Sequence, residues 1–224
     1  MILIKKNSEP REWLKYRNTP GVDYQSIPEL VDSLLEEQGY ICAYCMRRIP
    51  CKDRLYKKDG KTFVLTNEDH RIEHMLSREN HDDKKLDYSN MVICCPGHIG
   101  NEEHCDRLKE NKDITFSPLD ANFIATLSYK MDGAIVSSNE SYDKEINEVL
   151  NLNTPILKEN RKNTWEAVKK ELIAQKGEKS WNKAILSKYI KKYSSKTRKD
   201  GKFKLTPYCG IVLFFLQKKL KQMI

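Results

Sequence analysis

Two cysteines separated by two residues begin the part of the chain in which reactive side chains are concentrated. Cys42 and Cys45 stand in the run "YICAYCMRRI". At this spacing two thiolates can face one tetrahedral ion from a tight turn, as in half of a zinc knuckle. The chain has seven cysteines, and metal ligands or buried thiols explain this odd number better than disulfides do.

The second half of such a site must come from "CCPGHIGNEEHC", residues 94–105. Cys95 and Cys105 are the preferred ligands, with Cys94 or His98 as substitutes. The proline and glycines between them allow the loop to fold back and bring the sulfurs together. Four thiolates complete the shell of a zinc ion, so the predicted ion is structural rather than catalytic. The alternative is that these thiols are simply buried.

A second group of polar residues lies between the two cysteine pairs, and all five histidines of the chain fall between residues 70 and 104. A phosphodiester hydrolase needs a base, a divalent ion and groups that orient the base. His74 is the candidate base, while Glu73 and Asp106 are hard oxygen ligands suited to Mg²⁺ or Mn²⁺. Asn90 either orients the base or ties the loop down by hydrogen bonding. The alternative is that all of them are ordinary polar loop residues.

Charge is distributed unevenly along the chain. Residues 161–224 carry 18 Lys or Arg against 4 Asp or Glu, whereas residues 1–160 carry 22 against 28. This asymmetry is typical of a surface that binds nucleic acid or an acidic partner, and the alternative is a solvated helical surface. Four aromatic residues among the C-terminal lysines either stack on bases or pack in a helical core. They are Trp165, Trp181, Tyr189 and Tyr193.

The local pattern predicts the elements that must position these groups. Residues 26–39 form an amphipathic helix that leads into Cys42. Short extended segments are expected at residues 62–65, at "RIEH" and within "YSNMVICC", and a short helix is expected over "NEEHCDRLKENK". A hairpin turning at Asp132-Gly133 follows, and from about Ser141 onward the chain is expected to be mostly helical.

The apolar residues never form a run close to the roughly 20 that cross a bilayer. The first ten residues, "MILIKKNSEP", also lack the long apolar stretch of a secretory signal. We therefore expect a cytoplasmic protein with no membrane partner.

The order of these residues resembles that of the zinc-stapled HNH endonucleases, whose ββα-metal fold arranges a β-hairpin and a helix around one divalent ion. The resemblance implies that Glu73 is the first ligand of that ion, that His74 is the general base, and that Asn90 is the middle asparagine of the motif.

The same resemblance assigns the remaining positions. Asp106 stands where a histidine is commoner in the family, so His98 or His104 is an alternative ligand. Arg78 and Lys109 match basic positions that meet phosphate and are the expected contacts to nucleic acid.

A closer resemblance covers nearly the whole chain. The segments "IKKNSEPREWLKYRNTPG", "LLEEQGYICAYCMRRI", "RIEHMLSRE", "LDYSN", "HCDRLK" and "PYCGIVLFFLQKKL" are similar to the HNH subunit of Septu-type anti-phage systems, the PtuB-like proteins. Ser77 stands where that family often has proline. The resemblance implies an ABC/SMC-like (PtuA-like) ATPase as partner and, because relatives occur beside retrons, a retron reverse transcriptase and its DNA as further partners.

The sequence therefore predicts an α+β fold. Residues 1–120 form a ββα-metal (HNH) nuclease core with an N-terminal helix and a structural zinc knuckle, and residues 121–224 form a hairpin followed by a basic, mostly helical region. The expected function is metal-dependent hydrolysis of DNA or RNA by the effector of an ATPase-controlled anti-phage system. The alternative is a non-catalytic zinc module that binds nucleic acid or a partner.

Overall fold

The computed structural model describes residues 1–50, 57–58, 61–62, 69–176 and 181–223, with only the backbone at residues 57–58, 61–62 and 175–176. Over this part of the chain the fold is mixed α+β, with eight α-helices and five two-stranded antiparallel sheets. Of the extended segment expected at residues 62–65, only Thr62 belongs to the described residues.

The helices follow one another with short strands between them. They are α1 Arg11–Arg17, α2 Pro28–Glu37, α3 Asp106–Lys109, α4 Ala121–Thr126, α5 Glu140–Glu148, α6 Pro155–Lys176, α7 Lys183–Ser194 and α8 Cys209–Lys221. The strands are β1 Lys57–Lys58, β2 Lys61–Thr62, β3 Arg71–His74, β4 Met91–Cys94, β5 His98–Ile99, β6 Glu102–Glu103, β7 Leu127–Tyr129, β8 Ile135–Ser137, β9 Thr197–Lys199 and β10 Lys202–Lys204. None of the described helices has both the length and the apolar composition needed to cross a bilayer.

The first half of the chain is built on α2 and on the hairpin of β3 and β4. The predicted amphipathic face of α2 is confirmed, because Leu30, Leu34 and Leu35 are buried on it. All four residues of β4 are buried as well, and the side chain of Gln38 just beyond α2 bonds both the amide and the carbonyl of Ile93 at 2.7 Å. Helix α2 is thereby fixed against the hairpin that carries the candidate active-site residues.

The β3–β4 pairing places Glu73 opposite Val92 and His74 opposite Met91. Both strands were predicted from the sequence. The helix expected over residues 101–112 is shorter than predicted, because Glu102–Glu103 are strand β6 and only Asp106–Lys109 are helical. Cys105, the residue just before α3, has a positive φ of 58°, which interrupts a continuous helix.

The second half is mostly helical, as expected. The β7–β8 hairpin turns at the predicted Asp132-Gly133, where a Cβ on Gly133 would lie 2.0 Å from the carbonyl oxygen of Lys158. Asn139 and Asn182 cap α5 and α7 by accepting bonds from amides three residues on. Helices α6, α7 and α8 pack together around apolar side chains; these include Trp165, Val168, Leu172, Leu186, Tyr189, Tyr193, Ile211, Val212 and Leu216.

One pair of strands in this half was not predicted. Strands β9 and β10 form a hairpin whose turn is Asp200-Gly201, both with positive φ. Backbone bonds also join the two halves of the chain: Tyr208 donates to the carbonyl of Met46 at 3.1 Å and Leu205 to that of Gly39 at 3.0 Å. The boundary at residue 120 stays a prediction.

Candidate functional site

Four buried thiols meet at one point in the first half of the molecule. The sulfurs of Cys42, Cys45, Cys95 and Cys105 all lie within 4.8 Å of one another. The Cys42–Cys105 and Cys45–Cys95 separations are 3.9 and 3.6 Å. Four thiolates at Zn–S distances of about 2.3 Å around a tetrahedral ion lie ~3.8 Å apart. The donor set and its spacing therefore fit a zinc ion, and we call these residues the thiol cage.

Three separate segments bring the sulfurs together. Cys42 and Cys45 lie in a tight turn that is closed by a bond from the Met46 amide to the Cys42 carbonyl at 3.1 Å. This turn is attached to β4 by the amide of Ala43, which donates to the Ile93 carbonyl at 3.0 Å. Cys95 follows β4 directly, and Cys105 immediately precedes α3. An ion in the cage therefore joins α2, the β3–β4 hairpin and α3.

The cage is too deeply buried to hold several uncompensated thiolates. Burial raises the pKa of Cys45 and of Cys105 well above the usual thiol value. A cation is therefore needed before all four can act as thiolates. The Nδ1 atom of His104, itself fully buried, lies 3.1 Å from the sulfur of Cys105 and can donate to it. A ligand thiolate hydrogen-bonded in this way is held in orientation.

The substitutes considered for these ligands lie outside the cage. Cys94 is buried at the end of β4 but does not belong to the four-sulfur group. His98 is exposed, and its Nδ1 lies 3.2 Å from Nη1 of Arg107. The preferred set of Cys42, Cys45, Cys95 and Cys105 is therefore the one that the structure brings together.

A buried carboxylate lies next to the cage on β3. Glu73 is only 2% exposed; its Oε1 accepts a hydrogen bond from the hydroxyl of Tyr44 at 2.8 Å and forms an ion pair with the ammonium of Lys109 at 3.0 Å. Burial raises the pKa of Glu73 well above its usual value, and the adjacent Asp106 raises it further, while Lys109 lowers it. Two carboxyl groups that face each other in a buried place favour a bound cation or a shared proton.

The second carboxylate is also compensated. Asp106, at the start of α3, bonds Nε of Arg71, a residue on the same strand as Glu73. Mg²⁺ is usually held by one or two carboxylates together with waters and substrate phosphates. Glu73 and Asp106 therefore fit the protein part of such a site, in which a divalent ion would compete with Lys109 and Arg71 for the carboxylate oxygens.

His74 is fixed in a single protonation pattern. Its Nε2 lies 3.0 Å from the carbonyl oxygen of Lys85, which can only accept, so Nε2 carries the proton. Burial lowers the pKa of His74 to about 4, and the ring is therefore neutral at pH 7. In a neutral ring protonated at Nε2, the Nδ1 atom has the free electron pair and can accept a proton.

Asn90 ties down the connection between β3 and β4. Its Oδ1 accepts from the amide of Leu76 at 2.9 Å, and its Nδ2 donates to the carbonyls of Leu76 and Lys84 at 2.9 and 3.2 Å. Lys84 directly precedes the residue whose carbonyl holds His74. Of the two roles considered for Asn90, these contacts match the one that fixes the loop.

The imidazole of His74 is covered by the N-terminal segment. The ring of Tyr24 packs edge-on against the imidazole, with 4.6 Å between the ring centroids. The guanidinium of Arg78 in turn lies 4.6 Å from the centroid of the Tyr24 ring. Asp23 is 3.1 Å from the ammonium of Lys85 and fixes the segment at its side. His74 is consequently only 5% exposed.

Lys109 differs from its expected role as a phosphate contact. Its side chain is completely buried, and its ammonium also donates to the carbonyl of His74 at 3.2 Å. Because α3 places Lys109 beneath β3, its ammonium contacts groups inside the protein rather than solvent. Arg78, in contrast, lies at the surface beside Tyr24. Lys109 is therefore a structural counter-ion of Glu73 in this state.

Several contributors were not found by sequence reasoning. Tyr44 lies inside the Cys42–Cys45 turn, Arg71 lies two residues before Glu73 on one face of β3, and Tyr24 comes from a distant loop. The alternation along a strand could have indicated Arg71. Nothing in the sequence signals Tyr24, since its contact with His74 spans the whole connection from α1 to β3.

No protein-family model matches the chain. No curated protein matches it significantly in sequence.

Proposed function

We propose that the chain is an HNH-type endonuclease that hydrolyses phosphodiester bonds in a metal-dependent reaction. The observation that carries this proposal is the state of His74, which is neutral, protonated at Nε2 and held by the Lys85 carbonyl, one residue along β3 from Glu73 and within the electrostatic influence of Asp106. A base with a fixed tautomer and two hard oxygen ligands are the minimum that water activation requires.

Each residue has a distinct part in the reaction. Nδ1 of His74 takes a proton from the attacking water, while the bond from Nε2 to Lys85 prevents the ring from turning. Asn90 is a positioning residue, because its bond to the Lys84 carbonyl holds the segment that orients the base. Glu73 and Asp106 would hold a divalent ion, which supplies charge neutralisation at the phosphate and the leaving oxygen.

The substrate can reach the base only after the cover has moved. Glu73, His74 and Asp106 are 2, 5 and 8% exposed, which leaves no room for a polymer at Nδ1. A cleft of ≈ 360 Å³ lies at the edge of the cover and is lined by Tyr24, Arg78 and Lys85, among others. Displacement of Tyr24 into this cleft would expose the imidazole.

The test compares His74→Ala with His98→Ala, since His98 is an exposed histidine outside both the cage and the carboxylate pair. Plasmid DNA, single-stranded DNA and RNA are incubated with Mg²⁺ or Mn²⁺, in the wild type and in a Tyr24→Ala background that removes the cover. We expect His74→Ala to reduce cleavage at least ~100-fold, because general bases contribute 10²–10⁴-fold, and His98→Ala to leave it unchanged.

Two results would contradict the proposal. One is undiminished cleavage by a folded, zinc-containing His74→Ala protein. The other is a Tyr24→Ala protein that cuts none of the three substrates with either metal ion. The control for folding is the zinc content, which His74→Ala leaves unchanged because the cage contains no histidine.

We propose further that an ABC/SMC-like ATPase controls this nuclease in anti-phage defence. The support is the resemblance of the sequence segments to Septu-type HNH subunits, together with a covered site that needs an opening signal. An ATPase gene beside the gene for this chain would support the assignment, and a reverse transcriptase gene there would support the retron variant. If the purified ATPase fails to raise cleavage by the wild-type chain, its controlling role is wrong.

A second function is favoured by the same ion pairs. Lys109 and Arg71 already neutralise both carboxylates, as in a purely structural network. In that case the chain is a non-catalytic zinc module that binds nucleic acid or a partner. The cleavage assays separate the two functions, because the module binds but cuts nothing with any metal ion.

A further inference from the structure

The β9–β10 hairpin presents an aromatic ring to solvent while it buries a lysine. Phe203 on β10 is 61% exposed, the largest exposed fraction among the big apolar side chains of the described residues. The next residue, Lys204, is 5% exposed, with its ammonium 3.2 Å from Asp200 and 5.6 Å from the centroid of the Tyr40 ring. A buried lysine beside an exposed phenylalanine reverses the usual preference of these residue types.

Cations lie on both faces of the hairpin that carries the exposed ring. Arg198 is the register partner of Phe203 and shares its face, whereas Lys199 pairs with Lys202 at the turn, on the opposite face. Arg198 and Lys199 are both exposed. Lys202 lies 3.8 Å from the Glu36 carboxylate and Lys204 lies 3.2 Å from that of Asp200, so the acidic side chains of Glu36 and Asp200 are partly neutralised. The hairpin thus combines a flat apolar face with a positive rim.

A cleft runs along the base of the hairpin. Its volume is ≈ 360 Å³, at the small end of the ~300–1,000 Å³ typical of ligand sites. Its lining is polar except for the phenyl ring. The residues are Asn7, Glu36, Lys196, Gly201, Lys202 and Phe203. Lys196 is fixed at the entrance by its bond to the carbonyl of Glu36 at 2.6 Å.

We propose that this hairpin binds single-stranded nucleic acid, with one base stacked on Phe203 and a flanking phosphate on Arg198. An aromatic side chain offers its face to any base, and nearby cations follow the backbone. A duplex cannot bind in this way, because its bases are stacked on one another and are not available to the phenyl ring. The cleft accommodates a single nucleotide rather than a helix.

The inference deepens the proposed function and rests on it only in treating the bound strand as substrate. It assigns base stacking to Phe203, which is not one of the four aromatic residues considered for this role in the sequence analysis. Three members of that set, Trp165, Tyr189 and Tyr193, are buried in the helical core. Single-stranded DNA and RNA offer the same stacking and phosphate chemistry, and the experiment compares the two.

The test measures binding without cleavage. The full-length, zinc-loaded protein is titrated against fluorescent 12-nucleotide DNA and RNA strands and against a DNA duplex, by anisotropy and with Mg²⁺ and Mn²⁺ omitted. The variants are Phe203→Ala and Arg198→Ala. Matched controls are Met131→Ala, which removes another apolar side chain at a hairpin turn, 55% exposed, and Lys144→Ala, which removes a lysine on α5, 71% exposed.

We expect Phe203→Ala to weaken single-strand binding by about 5- to 150-fold, the range that one stacked base corresponds to. Duplex binding should change less than about twofold. Arg198→Ala should lower the slope of log affinity against log salt by ~0.7, the value for one phosphate contact on a single strand. Met131→Ala should leave the affinity unchanged, and Lys144→Ala should leave the salt slope unchanged.

Each other outcome contradicts the inference. Wild-type protein that binds no single strand, or Phe203→Ala protein that binds it as tightly as the wild type, would show that Phe203 does not hold a base. Equal losses for single strand and duplex would show that the ring does not stack on bases. If the protein binds through Phe203 but its Tyr24→Ala variant cuts nothing, the proposed function is overturned and this inference stands.

Discussion

The two halves of the molecule are stabilised in different ways. Around β3, β4 and α3, the thiol cage and buried charges such as Glu73 and Lys109 are combined with apolar packing. Around α6, α7 and α8, stability depends on apolar packing, such as the stacked rings of Trp165 and Phe215 with centroids 4.9 Å apart. Two- to four-residue strands bury little surface on their own, so polar groups can be assembled there only if something else holds the backbone. The comparison indicates that the first half adds a cage able to hold a metal ion to its apolar core, whereas the helical half is stabilised mainly by apolar packing.

The largest expected effect is loss of the metal. Cys45→Ala should lower the zinc content of chelator-dialysed protein from one ion per chain to well below one, because structural zinc contributes roughly 10–16 kcal/mol to folding of small sites. Hydrogen exchange should then show that β3 and β4 have lost protection while α6 and α8 keep theirs. Cys209→Ala is the matched control, since Cys209 is a buried thiol of α8 outside the cage. Simultaneous loss of protection in α6 would mean that the halves do not differ in this way.

A smaller effect is expected from a cavity in the helical half. Leu216→Ala removes a fully buried side chain from α8 and should cost ~2–5 kcal/mol in the free energy of urea unfolding. Zinc content should stay at one ion per chain because the helices do not supply the ligands. Leu220→Ala, at a partly buried position on the same helix, should cost less. If Leu216→Ala also releases zinc, the two regions fold as one unit.

The smallest expected effect is a loss of folding stability at acidic pH. Below pH 6.5 the unfolded chain binds a proton at His74. In the folded chain the pKa of His74 is lowered to about 4, so the proton binds only near that pH. Stability is thus complete above pH 6.5 and falls with pH between these values, by about 1 kcal/mol at pH 5.5. His74→Gln should abolish this part of the pH dependence when unfolding is compared at pH 7.5 and 5.5.

The helical half supplies the contrast for the acid experiment. Lys192 lowers the pKa of Glu171 through a hydrogen bond at 2.9 Å, so any stability from this pair is present above the unfolded pKa of 4.5 and is lost only below it. The effect of Glu171→Gln should therefore be the same at pH 7.5 and 5.5. A pH-dependent effect of Glu171→Gln in this range would contradict the assignment.

Local patterns were sufficient for part of the fold. Helix α2 and the turn at Asp132-Gly133 are determined by apolar periodicity and by glycine, which act over a few residues. The β9–β10 hairpin has the same kind of signal in Asp200-Gly201, but this pair of residues lies in a lysine-rich stretch that was expected to be helical. The break in the expected helix at Cys105 could not be predicted, because a positive φ at a residue other than glycine is rare and leaves no mark in the local pattern.

The candidate site shows the same division. The spacing of Cys42 and Cys45 and the adjacency of Glu73 and His74 are visible in the sequence. The burial of Lys109 and the cover formed by Tyr24 are not, because both depend on contacts between segments tens of residues apart. Residue types suggested the proposed chemistry, but the protonation state of His74 and its burial against Tyr24 required coordinates.

The cage draws its sulfurs from positions 42 to 105, and this has a consequence for biosynthesis. A ribosome adds ~5–20 residues per second, so Cys45 is made several seconds before Cys105. During that interval the nascent chain has an incomplete set of ligands and would bind zinc only weakly. Capture of an ion by the complete cage would therefore be a late step, and a fragment that ends before residue 105 lacks one of the four thiols.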